Sequence, residues 1–121
     1  MKILRDRVIH KNDAVMFDID DTLIFLDGTL NTPIVNLLHY SKSLGYKIVI
    51  ITARPILKPV IDFTVNQLKR HEIPYDVLGF TPALNKGAMK RDMEYNFILS
   101  VGDMPTDLTD TVYSLKVKHF Q

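Results

Sequence analysis

The chain has 121 residues, of which 46% are hydrophobic and 24% charged, with a formal net charge of +1 and no cysteine. This is the composition of a folded protein rather than a disordered one, and it excludes disulfides and thiolate metal sites. The near-neutral balance offers no electrostatic case for general nucleic-acid or membrane binding, and no apolar run approaches the about 20 residues of a membrane-spanning helix.

The length predicts one domain over residues 1–121. The opening MKILRDRVIHKND is charged throughout and lacks the apolar stretch of a secretory leader, so the expected location is the cytosol. The first apolar run, Ala14-Val15-Met16-Phe17, ends at Asp18 and predicts a strand. An irregular segment from Phe25 to Leu30 follows, in which Asp27-Gly28 reads as a flap over a site or as a plain turn. Thr32-Pro33 predicts a helix start with Thr32 as N-cap. Ile34, Leu37, Leu38 and Leu44 recur at helical spacing, and Gly45 marks the stop.

The run from Tyr46 to Ile51 is β-branched and nearly continuous, as in a strand buried on both faces. After Pro55 a second helix carries Val60, Ile61, Val65 and Leu68 on one face. A strand from Tyr75 to Phe80, a helix from Asn85 to Glu94 and a strand from Phe97 to Val101 come next, ending at Gly102-Asp103. A short helix from Asp107 to Val112 and a strand from Leu115 to Phe120 close the chain. Strands alternating with helices predict a three-layer, Rossmann-like α/β fold with a central parallel sheet of about five strands.

Ligands of such sheets bind outside the carboxyl ends of the strands. Three strand ends carry polar residues: Asp18-Ile19-Asp20-Asp21-Thr22, Thr52-Ala53-Arg54, and Gly102-Asp103 with Asp107 beyond it. Carboxylates gathered at one edge repel one another and need a cation, and an all-oxygen donor set suits Mg²⁺. A carboxylate at a strand end can attack phosphorus, and a second acid two residues on, pointing the same way in extended backbone, can protonate the leaving oxygen. Asp18 and Asp20 have that spacing, and Lys86, opening the third predicted helix, can hold a phosphate.

These residues resemble the motifs of the haloacid dehalogenase superfamily. DxDxT followed by an apolar residue appears as Asp18-Ile19-Asp20-Asp21-Thr22-Leu23; Thr52 after a hydrophobic strand, Lys86, and Gly102-Asp103-Met104-Pro105-Thr106-Asp107 supply the other three, in order. The resemblance implies Asp18 as nucleophile and Mg²⁺ ligand. It implies Asp20 as general acid/base, with its backbone carbonyl on the metal. Thr52 and Lys86 would bind the phosphoryl group, Asp103 would ligate the metal, and Asp107 would support the site. Lys90, one turn on, competes with Lys86 for the motif lysine.

Asp20 favours a phosphatase over a dehalogenase, which lacks the second Asp. The intervals from Asp18 to Thr52 and from Thr52 to Lys86 leave no room for a cap domain. The chain therefore resembles the capless members, acid-phosphatase-like and polynucleotide-phosphatase-like proteins, whose open sites admit macromolecular ends or are covered by a partner. The implied substrate is phosphorylated: a small molecule, a nucleotide, a nucleic-acid end or a phosphoprotein. A homodimer is compatible with the open site.

Other features have plainer readings. Asp21 reads as a solvated or turn-capping carboxylate, Arg54 as a substrate contact, a surface salt bridge or a helix-start residue, and Lys90 and Arg91 as a solvated helix face. Met89 and Met93 read as core, and the four histidines as surface or packing residues. Three rival functions compete. A receiver-like signalling domain should end its third strand in Asp, and none is there. A calcium loop starting at Asp18 lacks its Gly and its closing Glu. A retired binding module of the same fold is the third.

Overall fold

The computed structural model of the protein describes residues 1–118. In chain order these form α1 (Lys2–Arg5), β1 (Asp13–Phe17), α2 (Thr32–Leu44), β2 (Lys47–Thr52), α3 (Lys58–Arg70), β3 (Val77–Phe80), α4 (Lys86–Asp92), β4 (Asn96–Gly102) and β5 (Tyr113–Lys116). Single 3₁₀ turns at Ala83–Asn85 and Pro105–Asp107 precede α4 and follow β4.

The β-branched runs form the middle of one five-stranded sheet, in the order β3-β2-β1-β4-β5 with every pair parallel. Phe17 lies opposite Ile50 on one side and Val101 on the other. Alternate residues of each strand face opposite ways, and this divides the core. Val15, Phe17, Ile48, Ile50 and Val101 pack with Leu4, Val35, Leu38 and Leu68, so α1, α2 and α3 cover one face. Ala14, Met16, Val49, Ile51 and Phe97 pack with Met89 and Met93, so α4 covers the other.

This strand order carries functional weight. After β3 the chain crosses to the far side of β1, so the direction of winding reverses between β1 and β4. In doubly wound sheets ligands bind at the carboxyl end of that switch point. Asp18 follows β1 and Asp103 follows β4. The order also differs from the 2-1-3-4-5 arrangement of receiver-type folds, which removes that rival. Among the described residues no cap domain interrupts the sheet, and no helix is long and apolar enough to cross a membrane.

Several local expectations are met in detail. Gly45 ends α2 at φ +107, with its N–H donating to the Lys42 carbonyl and that of Tyr46 to the Ser41 carbonyl. This paired closure requires the left-handed conformation that glycine adopts freely. Met89 and Met93 pack as core.

Other expectations need correction. The N-cap of α2 is Asn31, with Thr32 already helical and Pro33 in the first turn. The third strand begins at Val77, because the Asp76 carboxylate accepts from the Ile48 N–H at 2.8 Å and its own N–H donates to the Ile48 carbonyl at 2.8 Å. The helix expected over 107–112 is absent, replaced by the turn at Pro105–Asp107 and an irregular stretch in which Asp110 has φ +55. The last strand starts earlier, at Tyr113, and its expected end at His119 and Phe120 lies outside the described residues. The histidine at 119 lies outside them too; His10 and His39 are exposed and His71 is half-buried.

Candidate active site

At the carboxyl end of β1 the Asp18 N–H donates to the Val101 carbonyl at 3.0 Å, extending the β1–β4 pairing by one residue and fixing where the Asp18 side chain stands. The next residues leave the sheet in a tight turn. The Ile19 carbonyl accepts from the N–H groups of Thr22, Leu23 and Ile24, and Asp21 sits at φ +60, a left-handed position that Asp tolerates better than most residues. Ile19, Leu23 and Ile24 are fully buried. The turn is therefore anchored from below while Asp20 and Asp21 stay above the sheet. Ile24 then bridges to Leu30, so the segment around Asp27-Gly28 returns as a small flap. Its tip is closed by the Asp27 carboxylate, which accepts from the Thr29 N–H and hydroxyl.

Lys86 crosses from the first turn of α4 to this end of the sheet. Its Nζ lies 2.8 Å from Asp18 Oδ1 and 2.6 Å from Asp107 Oδ1. All three side chains are buried. Burial pushes the Asp18 carboxyl up, Lys86 pulls it back, and Asp107 and a hydrogen bond with Asp103 raise it again, leaving it at about 7. Burial also acts to lower the Lys86 ammonium, but Asp18 and Asp107 outweigh it and hold the group above its ordinary value.

Asp107 is placed by the turn that carries it. Its Oδ2 accepts from the Met104 N–H at 3.1 Å. Gly102, the last residue of β4, lies directly beneath: a Cβ there would meet Asp107 Cβ at 2.3 Å. The close approach needs glycine at this position, which is the physical content of the Gly-Asp step in the motif.

Lys90 settles differently from its sequence reading. It is not a solvated residue but is buried beside Lys86, and its Nζ donates to Ser100 Oγ at 3.0 Å and to the carbonyls of Asp107 and Thr109 at 2.7 Å. Burial pushes its ammonium down to about 8. Lys86, not Lys90, reaches Asp18. Arg91 is exposed as expected and pairs with Asp110.

Thr52 ends β2 fully buried, and its Oγ1 accepts from the Arg54 N–H at 3.2 Å. Arg54 is not a free cation at the surface. Its Nε and Nη2 donate to the two oxygens of Asp20 at 3.0 and 2.9 Å, and its Nη1 donates to Thr64 Oγ1 and Gln67 Oε1 on α3. This explains the face of α3: Thr64 and Gln67 are buried with Leu68, whereas Val60, Ile61 and Val65 are only half-buried.

Asp18, Asp20, Asp21, Lys86, Asp103, Thr106 and Asp107 line one cleft of about 180 Å³. Of the residues singled out in the sequence, Thr52 is not part of its lining, whereas Asp21 joins its wall. Oxygens of Asp18, Asp103 and Asp107 lie within 4.8 Å of one another. The donor set is all oxygen, it gathers more negative charge than the one Lys86 ammonium balances, and the buried Thr106 hydroxyl in its wall has no protein partner. These features fit a small hard cation with water in its shell. Both Asp107 oxygens are engaged by Lys86 and Met104, and those of Asp18 by Lys86 and the Thr22 hydroxyl.

Residues 15–69, which include Asp18, Asp20, Thr52 and Arg54, match the haloacid dehalogenase-like hydrolase family. No curated protein matches the sequence. Among solved structures, the fold is similar to a chain of the Pnkp1/Rnl/Hen1 complex, with TM-score 0.74 and 20% identity over 88% of this chain and 46% of that one. It is also similar to a chain of the Pnkp1/Rnl/Hen1 RNA repair complex, with TM-score 0.72 and 20% identity over 88% of this chain and 42% of that one. The chain thus spans less than half the length of either, and at this identity the likeness is one of fold. Over residues 15–69 the chain is thus similar to the haloacid dehalogenase-like hydrolases, and the parallel sheet that carries this segment is uncapped among the described residues.

Proposed function

We propose that the protein is a Mg²⁺-dependent phosphatase that hydrolyses a phosphomonoester through an aspartyl-phosphate on Asp18. The observation that carries this reading is the buried Lys86 ammonium held between Asp18 and Asp107, in a cleft shared with Asp20 and Asp103. Such an arrangement offers a nucleophilic carboxylate, an acid two residues away and a fixed positive charge at one opening.

In the first step an oxygen of Asp18 forms a bond to phosphorus while the bond to the leaving oxygen breaks and Asp20 gives that oxygen a proton. In the second, Asp20 takes a proton from water as the water oxygen attacks phosphorus, the Asp18–phosphorus bond breaks and inorganic phosphate leaves. Lys86 holds Asp18 in place and balances charge on the phosphoryl oxygens. Thr52, at the end of β2, and Lys86 bind the phosphoryl group. Asp107 fixes Lys86 rather than taking part directly. Asp18, Asp103 and the Asp20 carbonyl would hold Mg²⁺, which supplies charge stabilisation to the transferring phosphoryl group.

The similarity in fold to a chain of an RNA repair complex makes a phosphorylated nucleic-acid end the first natural substrate to try. The mechanism itself is tested by acid-quenching the protein during turnover of a radiolabelled phosphomonoester. Label recovered on the peptide that holds Asp18 supports the reading. Turnover with label on another residue would refute it.

A further inference from the structure

The chemistry assigned above leaves Arg54 without a role, although four of its N–H donors are engaged inside the protein. We propose that Arg54 is a positioning residue that fixes the Asp20 carboxylate for proton transfer by tying it to α3. The inference rests on the reading of Asp20 as the acid/base.

Asp20 needs such a tie. It lies in the turn after β1, and its side chain is 41% exposed. An exposed carboxylate on a turn has several rotamers open to it, whereas a general acid must stand within hydrogen-bond reach of the oxygen it protonates. The Nε and Nη2 donors of Arg54 take one oxygen each, a two-point contact that sets the plane of the carboxylate as well as its position.

The guanidinium is itself anchored from behind. Nη1 donates to Gln67 Oε1 at 2.9 Å and to Thr64 Oγ1 at 3.0 Å, both on buried side chains. The Thr64 hydroxyl donates in turn to the Val60 carbonyl at 2.8 Å, which turns its acceptor side toward Arg54. The Phe63 ring lies 5.9 Å from the guanidinium carbon, and the backbone of Arg54 is held by Thr52 Oγ1. A relay therefore runs from the buried face of α3 through Arg54 to Asp20.

A direct role on substrate is disfavoured by the same geometry. Asp20 and Ala53 line the cleft and Arg54 does not, while Nε and Nη1 are committed within the protein.

The test uses two phosphomonoesters, an aryl phosphate with a good leaving group and an alkyl phosphate with a poor one. Only the alkyl ester depends strongly on a proton delivered to the leaving oxygen, so damage to Asp20 shows as a selective loss of kcat on it. Wild type, Asp20→Asn, Arg54→Met, Arg54→Lys and the double variant Thr64→Val with Gln67→Leu are compared. Misplacing the acid by about an ångström lowers rate on the order of 10²-fold. Arg54→Met is therefore expected to lose about that much kcat on the alkyl ester and far less on the aryl ester, with KM little changed. Arg54→Lys is expected to fall short of rescue, since a point charge cannot reproduce the two-point contact.

The double variant touches neither ester nor Asp20, so the same selective pattern, in smaller measure, would mark the relay. It decides the matter if Arg54→Met does not fold. Equal losses on both esters, or a loss confined to KM, would overturn the inference while leaving the phosphatase reading intact. Wild-type protein inert on both esters would instead overturn the reading on which the inference rests, and the inference with it.

Discussion

Lys86 Nζ and Asp18 Oδ1 lie 2.8 Å apart although 68 positions separate them in the chain. Asp107 takes the other side of the same ammonium at 2.6 Å. The three groups are buried together, so removing Lys86 would leave two carboxylates facing each other in a low-dielectric surrounding.

Replacing Lys86 by Met removes the shared partner of two buried carboxylates. Breaking a buried pair from one side costs about 3–5 kcal/mol. Urea unfolding of Lys86→Met at neutral pH is expected to show a loss of this order, together with loss of phosphate release. Adding Asp107→Asn to the same protein should recover part of the stability and none of the turnover.

Gly102→Ala tests the close approach of β4 to Asp107. The added Cβ would stand 2.3 Å from Asp107 Cβ and 2.4 Å from its Oδ2. Overpacking of this kind costs about 1–3 kcal/mol. The variant is expected to melt lower, and it should lose activity because the added methyl presses on Asp107, which holds Lys86.

Asp13 carries a pH-dependent contribution to stability at the opposite end of β1. Burial acts to raise its carboxyl, but the His10 N–H and the Arg7 guanidinium, both at 2.8 Å, outweigh it and hold the group below the usual carboxylate range. A carboxyl depressed in the folded state stabilises above its unfolded pKa of about 3.9, and that stability is lost as pH falls through the folded value. Asp13→Asn should therefore be less stable than wild type by about 1.5–3 kcal/mol at pH 7, the scale of a hydrogen bond to a charged group. The gap should close below about pH 3.9, as followed by urea titrations across pH.

Lys90 acts with the same sign in a more alkaline window. Its folded pKa, lowered to about 8 by burial, lies under the unfolded value of about 10.4. Between the two the unfolded chain binds a proton that the folded chain has released, so stability rises with pH in that window. Lys90→Met should abolish this rise. It should also lower turnover, because Nζ no longer holds the Asp107 and Thr109 carbonyls.

The extent to which the sequence discloses this structure follows from the range of each interaction. The β-branched run of β2 and the apolar runs of β1 and β4 are local signals, and the strands fall where those runs stand. The polar residues at the ends of β1 and β4 were legible as a shared site because parallel strands bring their carboxyl ends to one edge. Arg54 and Asp20 were not legible as a pair: no spacing rule connects a residue after β2 to one after β1. Lys90 was misread because a charged residue on a short helix looks solvated. Its place one turn after Lys86, which makes it a rival for the motif lysine, is the local signal that both lysines share the buried face. The missing helix at 107–112 has a similar cause, since Asp107 spends both its oxygens on tertiary and turn contacts.

The central claim is tested most directly by phosphate release from an aryl phosphate, measured for wild type and Asp18→Asn with Mg²⁺ and with EDTA. The account predicts turnover only in wild type with Mg²⁺, and none in Asp18→Asn protein that remains folded. Undiminished turnover by Asp18→Asn, or full wild-type turnover in EDTA, would contradict it.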